Sequence, residues 1–495
     1  MSFRMNSIGL FIAGYTSGLN CGPWFETRNP ATEEPLARIR EATRDDVDLA
    51  VRSAQQAFPG WAALPAVERA SFLFALADVL EARAEKLAAL ETADTGMTIT
   101  MTRGGHLPRA IAQLRYFAEE ASRSFGAIVP LDNAYIHLVM REPVGVWAIL
   151  VPWNAPLAVA TMNIGAALAA GNCCVVKPSE KAPLSVAALA EAAVKVGLPP
   201  GVLNIVQGPG ISTGALLIEH QDVDGICFVG GADVGKSIAR CGANRIPRLL
   251  MELGGKSPTV ILADANMEAA IDGALLSVFS SNGEVCTAGA RIIVEKPIHD
   301  QFLECFAQRT SAICVGDPMH PATEVGPLID LPHWETVGRF IQSALAEGAS
   351  LACGGERPAE LKNGYYRHPA VLYNVHNWMD IARREVFGPV AAVICAKDAE
   401  DAIKLANETE FGLSATIWTS DQSRGLQLAR SIRAGSVAIN SPLIRDIRAP
   451  FGGIKNSGLG RVGGQWSIEQ FTELKTTCLK VSGYDLPRLG LGRKS

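Results

Sequence analysis

The chain reads as an α/β protein built on parallel sheets, and three observations predict this. From Val144 onward, short apolar runs alternate with Ala-rich stretches, the pattern of strands joined by crossover helices. The runs are apolar throughout and do not alternate with polar residues, as expected of strands covered on both faces. Polar or glycine-rich loops follow several of them, at the strand ends where such sheets bind ligands. At 495 residues, 48 % apolar and 19 % charged, the chain is globular and long enough for two or three domains.

Residues 24–40 predict short strands around an Asn29-Pro30 turn, and Thr43 with Asp46 is a helix-start signal. Leu, Ala and Phe at helical spacing predict helices over Asp46 to Phe58, Val67 to Ala93, and Pro108 to Ser124, the last carrying Arg109. Tyr135 to Met140 alternates as a strand. Val144–Val151, Cys173–Val176, Val202–Val206 and Gly225–Val229 predict buried strands, with helices over 156–170, 183–196, 211–219 and 232–241 between them. A second α/β unit is predicted from the strands Thr259–Leu262, Ala290–Val294, Ala391–Cys395, Ala415–Trp418 and Ser436–Asn440. Phe471 to Val481 closes the pattern as a strand before a polar, Gly-rich end.

Composition narrows the function classes. Net charge is −5, without a long basic block, which argues against nucleic acid or an anionic membrane as a partner. Eleven cysteines form no regular disulfide spacing and no CxxC pair, the usage of a reduced, cytoplasmic protein. The apolar run Ile8 to Ala13 is too short for a secretory core, and no uninterrupted run reaches the length of a membrane span. The eight histidines form no cluster with metal-ligand spacing, so no metal is expected.

The chemistry concentrates between Met251 and Arg291. MELGGKSP supplies a carboxylate, Glu252, beside Gly254 and Gly255. SNGEVCTAGAR supplies a thiol, Cys286, among polar and small residues. Cys173, Cys174, Cys227 and Cys395 sit in apolar runs and read as small core hydrophobes. The segment between acid and thiol reads as a helix capped by Asp264 or Asn266. A nucleophilic cysteine served by a glutamate base is the reading this pairing favours.

Three loops point to a nucleotide. FVGGADVGKS matches the phosphate-loop pattern through Gly230, Gly235, Lys236 and Ser237, and TVILAD ends on an acid, Asp264, so a P-loop NTPase is a rival reading. GPGISTG, with Gly208, Gly210 and Gly214, is a weak glycine signal. PWNAP places Asn154 just past a strand as a candidate oxyanion donor. KPSE places Lys177 and Glu180 likewise, with Glu180 able to accept hydrogen bonds from a ribose diol.

PWN at 152, KPSE at 177, MELGGKSP at 251, NGEVCTAG at 282, EVFGPV at 385 and PFGGIKNSGLGR at 450 together resemble the NAD(P)-dependent aldehyde dehydrogenase superfamily, in its order and spacing. The resemblance implies a Rossmann-like cofactor domain (residues 1–121 and 142–252, with 441–469 returning to it) and an α/β catalytic domain (253–440). It also implies a small bridging domain (122–141 and 470–495) that forms a homodimer or homotetramer. Cys286 matches the nucleophile, Glu252 the general base, and Asn154 with the Cys286 N–H the oxyanion site. Pro152, Trp153, Lys177, Ser179, Glu180, Gly210, Gly214, Phe228, Gly230, Gly231, Leu253, Gly254, Glu385 and Phe387 fall at cofactor positions. The phosphate-loop match then becomes a loop beneath the dinucleotide pyrophosphate. Gly231 stands where many members carry Ser, and Val462 where Glu is usual.

A carboxylate at Glu180 accepts from a ribose 2′-OH and repels a 2′-phosphate, favouring NAD over NADP, with Lys177 offsetting part of the repulsion. ETADTG at 91, HWETV at 333 and LIRDIRAPFGG resemble the muconic-type semialdehyde dehydrogenases of aromatic catabolism, including the carboxymethyl-hydroxymuconate and aminomuconate semialdehyde enzymes. That resemblance implies a carboxylated semialdehyde substrate held by Arg109 and Arg448, with Trp153 lining its site and Arg445 nearby without an assigned role. The alternative is an uncharged aromatic or aliphatic aldehyde, with structural arginines.

Overall fold

The computed structural model describes residues 6–18, 22–123, 126–131, 134–442, 444–483 and 489–490. The start of the chain, most of the Gly-rich end and Ser124 lie outside them, as do parts of the expected bridging segments.

Among the described residues the apolar runs form two large sheets. The first has eight strands in the order Gly458–Leu459, Arg248–Leu253, Gly225–Gly230, Val146–Val151, Cys173–Pro178, Leu203–Ile205, Leu10–Ile12 and Tyr15–Ser17. Its five inner strands, Arg248–Leu253 to Leu203–Ile205, run parallel. Every residue of Val146–Val151 and Cys173–Pro178 is buried, because helices cover both faces of a parallel sheet. The second sheet has seven strands, Ser350–Cys353, Ala370–Tyr373, Val390–Ala396, Arg291–Glu295, Pro258–Ile261, Ser414–Trp418 and Ser436–Ile439 in that order, parallel except at its first pair. Thr472–Lys480, Tyr135–Pro143 and Ala127–Pro130 form a separate antiparallel sheet whose outer strands are largely exposed.

Local chemistry explains most helix ends. Thr43 and Asp46 form a reciprocal capping box at Arg44–Ala63. Met267–Phe279 is capped by Asn266, whose Oδ1 accepts from the Ala269 N–H at 3.1 Å. Asp264 is not the cap: its Oδ2 accepts from Thr419 Oγ1 (2.7 Å) and Ser420 Oγ (2.9 Å) and so ties two strand ends of the second sheet.

One expectation needs correction. The single helix Val67 to Ala93 is two, Ala66–Glu81 and Ala84–Thr95. The backbone leaves helical geometry at Arg83 (φ −118, ψ 10), whose guanidinium pairs with Glu191 at 2.7 Å. Ala and Leu keep their helical spacing across the break, so the pattern conceals it. The run near Ile8, too short for a secretory core, supplies a strand: Leu10–Ile12 pairs antiparallel with Leu203–Ile205 and is core.

Ahead of helix Leu107–Glu120, Thr102–His106 forms a π-helical turn. Such a turn holds one extra residue and re-aims the side chains that follow.

Candidate active site

Glu252 sits next to last in strand Arg248–Leu253, so its side chain emerges near the carboxyl edge of the first sheet. It is only 4 % exposed, and both carboxylate oxygens are buried without a hydrogen-bond partner. Burial pushes its pKa up to about 8, against the pull of Arg445 and Arg461. Gly452 lies against this carboxylate, and a Cβ there would reach Oε1 at 2.6 Å.

The thiol is presented by a strained turn. Ser281 (φ 49), Asn282 (φ 59) and Gly283 (φ 72) are successive left-handed residues, a conformation costly for the two non-glycines. Asn282 offsets that cost by bonding three backbones. Its Nδ2 donates to the Gly96 and Pro327 carbonyls (3.1 and 3.0 Å), and its Oδ1 accepts from the Gly326 N–H at 2.7 Å. Gly283 packs on the Gly388–Pro389 backbone, where no Cβ fits. Cys286 follows, partly accessible to solvent. Burial raises its thiol to about 11; Arg445 opposes this most, Glu385 and Glu252 add to it, and Arg109 opposes it.

Asn154 follows strand Val146–Val151, and its Nδ2 donates to the Glu284 carbonyl at 2.9 Å. That bond sets the amide beside the thiol loop and leaves its second N–H free.

Two guanidinium groups face this cluster. The Arg109 Nε is buried without a hydrogen-bond partner. Burial lowers the Arg109 pKa to about 10, with Arg445 contributing and Cys286 opposing. Arg445 stacks 4.1 Å from the Phe451 ring centroid and contacts the Met162 sulfur at 2.9 Å. Its surroundings disfavour the charge, with Cys286 and Glu252 opposing. Among the described residues neither arginine has a carboxylate partner. Arg448 is not brought here. Its exposed guanidinium makes a two-pronged bond to Asp446 (3.0 and 2.6 Å), in a turn closed by the Arg448 N–H on the same carboxylate.

The nucleotide-type loops lie along the same sheet edge. Lys177, 4 % exposed, bonds Glu180 Oε2 at 3.1 Å, and Glu180 Oε1 accepts from the Gly210 N–H at 3.3 Å. Burial alone would raise Glu180, but Lys177 and the amides outweigh it and hold its pKa below the usual value. A Cβ at Gly214 would meet the Lys177 stem at 3.5 Å, and Ser179 Oγ accepts from the Lys181 N–H at 3.3 Å. Gly230 leaves room for the Phe228 ring, and Gly235 for the Leu253 side chain. Gly231 caps helix Ala232–Gly242 without a side-chain bond, in open space. Lys236 approaches Asp233 (3.9 Å) and Glu410 (3.7 Å) and not the glycine loop. With Asp264 committed to the strand ends of the second sheet, the phosphate-loop reading loses both its lysine and its acid.

Pro152 leads into Trp153, whose ring stands edge-on to Phe387 (5.3 Å) and His333 (5.7 Å). Phe387 holds φ 58, and its carbonyl accepts from His333 Nε2 at 2.7 Å. Glu385 Oε1 accepts from the Gly255 N–H at 3.0 Å, and burial raises Glu385 to about 7. A Cβ at Gly254 would collide with that carboxylate.

The sequence assigns His333 no role, although it lies in the HWETV motif. Nor does it mark Glu284, which is fully buried and whose Oε1 accepts from the Ile329 N–H at 3.0 Å. A lone buried acid or histidine has no sequence signature. Among the described residues no group of His, Cys, Asp and Glu is set to hold a metal ion, and no helix is long and apolar enough to cross a membrane.

A partly accessible thiol, a buried carboxylate and a side-chain amide beside two parallel sheets define a centre suited to covalent chemistry on a carbonyl. Residues 18–477 match the aldehyde dehydrogenase family, and the chain belongs to that family of NAD(P)-dependent oxidoreductases. It is 43 % identical over 449 residues to 5-carboxymethyl-2-hydroxymuconate semialdehyde dehydrogenase of Escherichia coli, covering 90 % of this chain and 95 % of the relative. It is 39 % identical over 486 residues to 2-hydroxymuconic semialdehyde dehydrogenase of Pseudomonas sp. strain CF600, covering 96 % and all of that relative. The solved NAD+ complex of an aldehyde dehydrogenase from Bacillus cereus superposes with a TM-score of 0.94 at 36 % identity, covering 96 % of this chain and 97 % of that one. The α/β fold of a Rossmann-like and a catalytic domain is therefore established, as is the oxidation of an aldehyde.

Proposed function

We propose that the chain oxidises a carboxylated, muconic-type semialdehyde to the corresponding acid with NAD, through Cys286. The observation that carries this reading is the pair Arg109 and Arg445: both lie close enough to Cys286 to act on its thiol, and among the described residues neither has a carboxylate partner. Arg109 is half-buried with an unpartnered Nε, and Arg445 is exposed beside it; an anionic substrate supplies the carboxylate partner that both lack. The named substrates of the two relatives agree with it.

The residues present fit the cofactor. Glu180 and Lys177 suit a ribose diol, and the open, uncapped N-terminus of helix Ala232–Gly242 at Gly231 suits a pyrophosphate. Ile211 (92 % exposed) and Val234 (53 %) offer apolar surface of the kind an adenine ring covers. Glu385, Phe387, Leu253, Gly254, Pro152 and Trp153 would flank the nicotinamide end. Bound NAD supplies the electron-pair acceptor that turns the tetrahedral adduct into a thioester.

Cys286 attacks the aldehyde carbon after losing its proton through water to Glu252. The free N–H of Asn154 and the Cys286 N–H hold the oxyanion, and removing one such donor typically costs roughly 3 kcal/mol. Glu252 then takes a proton from the water that releases the acid.

By the same reading, the domain built on the eight-stranded sheet (1–121, 142–252, with 441–469 returning to it) carries the cofactor, 253–440 carries the thiol, and 122–141 with 470–495 bridges copies in a homodimer or homotetramer. Leu474 and Leu479, exposed on strand Thr472–Lys480, support the last assignment. Ten free cysteines among the described residues suit a cytoplasmic enzyme.

Kinetics on a muconic-type semialdehyde and on benzaldehyde test the substrate. Arg109→Met and Arg445→Met are each expected to cut the preference for the carboxylated aldehyde by about 10- to 100-fold, the usual worth of a charge-assisted bond. Arg448→Ala is expected to leave the preference within about twofold, as for other exposed pairs. Equal losses on both aldehydes would reject the clamp. For the cofactor, Glu180→Gln is expected to raise NADP use relative to NAD by at least about tenfold, read from the two kcat/KM values.

A further inference from the structure

The segment Glu91–Gly96 is hydrogen-bonded to the π-helical turn before Arg109, to the helix after Asn154, to Thr27 and Leu184, and to the thiol loop, and it has no part in the chemistry proposed for Cys286. Glu91, Thr92 and Thr95 are fully buried and Asp94 is 1 % exposed, unusual for two acids on one helical turn. Glu91 Oε1 bonds His106 Nδ1 at 2.9 Å, at the end of the π-helical turn, three residues before Arg109. Glu91 Oε2 accepts from the Leu157 N–H at 3.4 Å, three residues past Asn154. Thr92 and Thr102 share a hydroxyl bond of 2.7 Å across the same π-turn. Asp94 accepts from Thr27 Oγ1 (2.5 Å) and the Leu184 N–H (2.9 Å), just beyond the Lys177–Glu180 loop. The Gly96 carbonyl accepts from Asn282 of the thiol loop at 3.1 Å.

We propose that Glu91 is a positioning residue that holds the guanidinium of Arg109, through His106, and the oxyanion amide Asn154, through the Leu157 N–H, in one register around the thiol. A carboxylate only accepts, so the Nδ1 of His106 carries the proton on this bond. Both oxygens of Glu91 are engaged, one by the helix that carries Arg109 and one by the first turn after Asn154. Loosening either bond frees two groups that must meet the substrate together, and a misplacement of about 1 Å costs up to about 10²-fold in rate. Arg109 also lies close enough to Glu91 to be stabilised as a cation. The selectivity readout rests on the proposed substrate; the rate readout does not.

Two substitutions at one position test this. His106→Asn keeps an N–H near the place of Nδ1, whereas His106→Leu removes it. Each variant is assayed as kcat per titratable Cys286 thiol, so that misfolded protein drops out of the rate. For His106→Leu, kcat per thiol is expected to fall at least about tenfold on both the carboxylated semialdehyde and benzaldehyde, through Asn154. Its preference for the carboxylated aldehyde is expected to fall further, through Arg109. His106→Asn is expected to keep both within about twofold. A His106→Leu enzyme with a lowered Tm but an unchanged rate per thiol would overturn the proposal, and so would equal losses in both variants. A wild-type enzyme without preference for the carboxylated aldehyde sinks the substrate reading instead, and leaves the rate comparison standing.

Discussion

Replacing Cys286 by alanine is expected to abolish aldehyde oxidation, a loss of at least about 10⁴-fold in kcat, since no other group forms the acyl intermediate. The competing thiols make this a sharp expectation. Burial pushes Cys173 up to about 12 and drives Cys174 and Cys227 well above the ordinary thiol value, inside the first sheet. NAD binding is expected to survive, because its proposed contacts lie on Lys177, Glu180 and the N-terminus at Gly231. The measurement is NADH absorbance under saturating aldehyde, alongside the NAD-induced rise in Tm of wild type and variant. Iodoacetamide mapping gives an independent check. The Cys286 thiol stands at about 11, so its alkylation by the free enzyme should accelerate steadily from pH 7 to 10. A Cys286→Ser enzyme that makes NADH at the wild-type rate would remove the covalent mechanism.

How far the sequence reaches differs between fold and site. Strands such as Val146–Val151 and Cys173–Pro178 are legible because each is apolar on both faces, a composition that only a doubly covered parallel strand tolerates over so short a run. The break at Arg83 is hidden because both helices bury Ala and Leu at the same spacing. The thiol, acid and amide stand out as polar or reactive residues among glycines just beyond apolar runs. Their supports do not. Glu91 and His106 lie fifteen residues apart on separate turns, and nothing local marks either as a partner. The arginines show the same limit. Arg445 and Arg448 share one short segment, and only the turn closed by Asp446 decides which one turns outward.

Glu252→Gln is expected to lower steady-state kcat by about 10²- to 10⁴-fold, the range for removing a general base. Glu252 takes a proton from Cys286 and again from the hydrolytic water, so both the first-turnover release of NADH and the steady-state rate should slow in the variant. The wild-type rate should climb between pH 7 and 9 as Glu252, with its pKa near 8, loses its proton, and that limb should vanish in the variant. Stability should move the other way. The folded-state pKa lies above the ordinary value of 4.5, so the native enzyme binds a proton that the unfolded chain lacks between these pH values. The stability gained from the neutral acid is complete below pH 4.5 and is lost as pH rises through about 8. Glutamine stays neutral throughout, so the Tm of the variant minus that of wild type should grow from pH 5 to 9. Burying a base without partners thus costs stability where the enzyme works, and it keeps the proton affinity that activating a thiol and a water requires. A Tm difference that stays flat across this range would show that Glu252 is ionised in the folded enzyme at all of these pH values, and the pH-rate limb near 8 would then belong to another group.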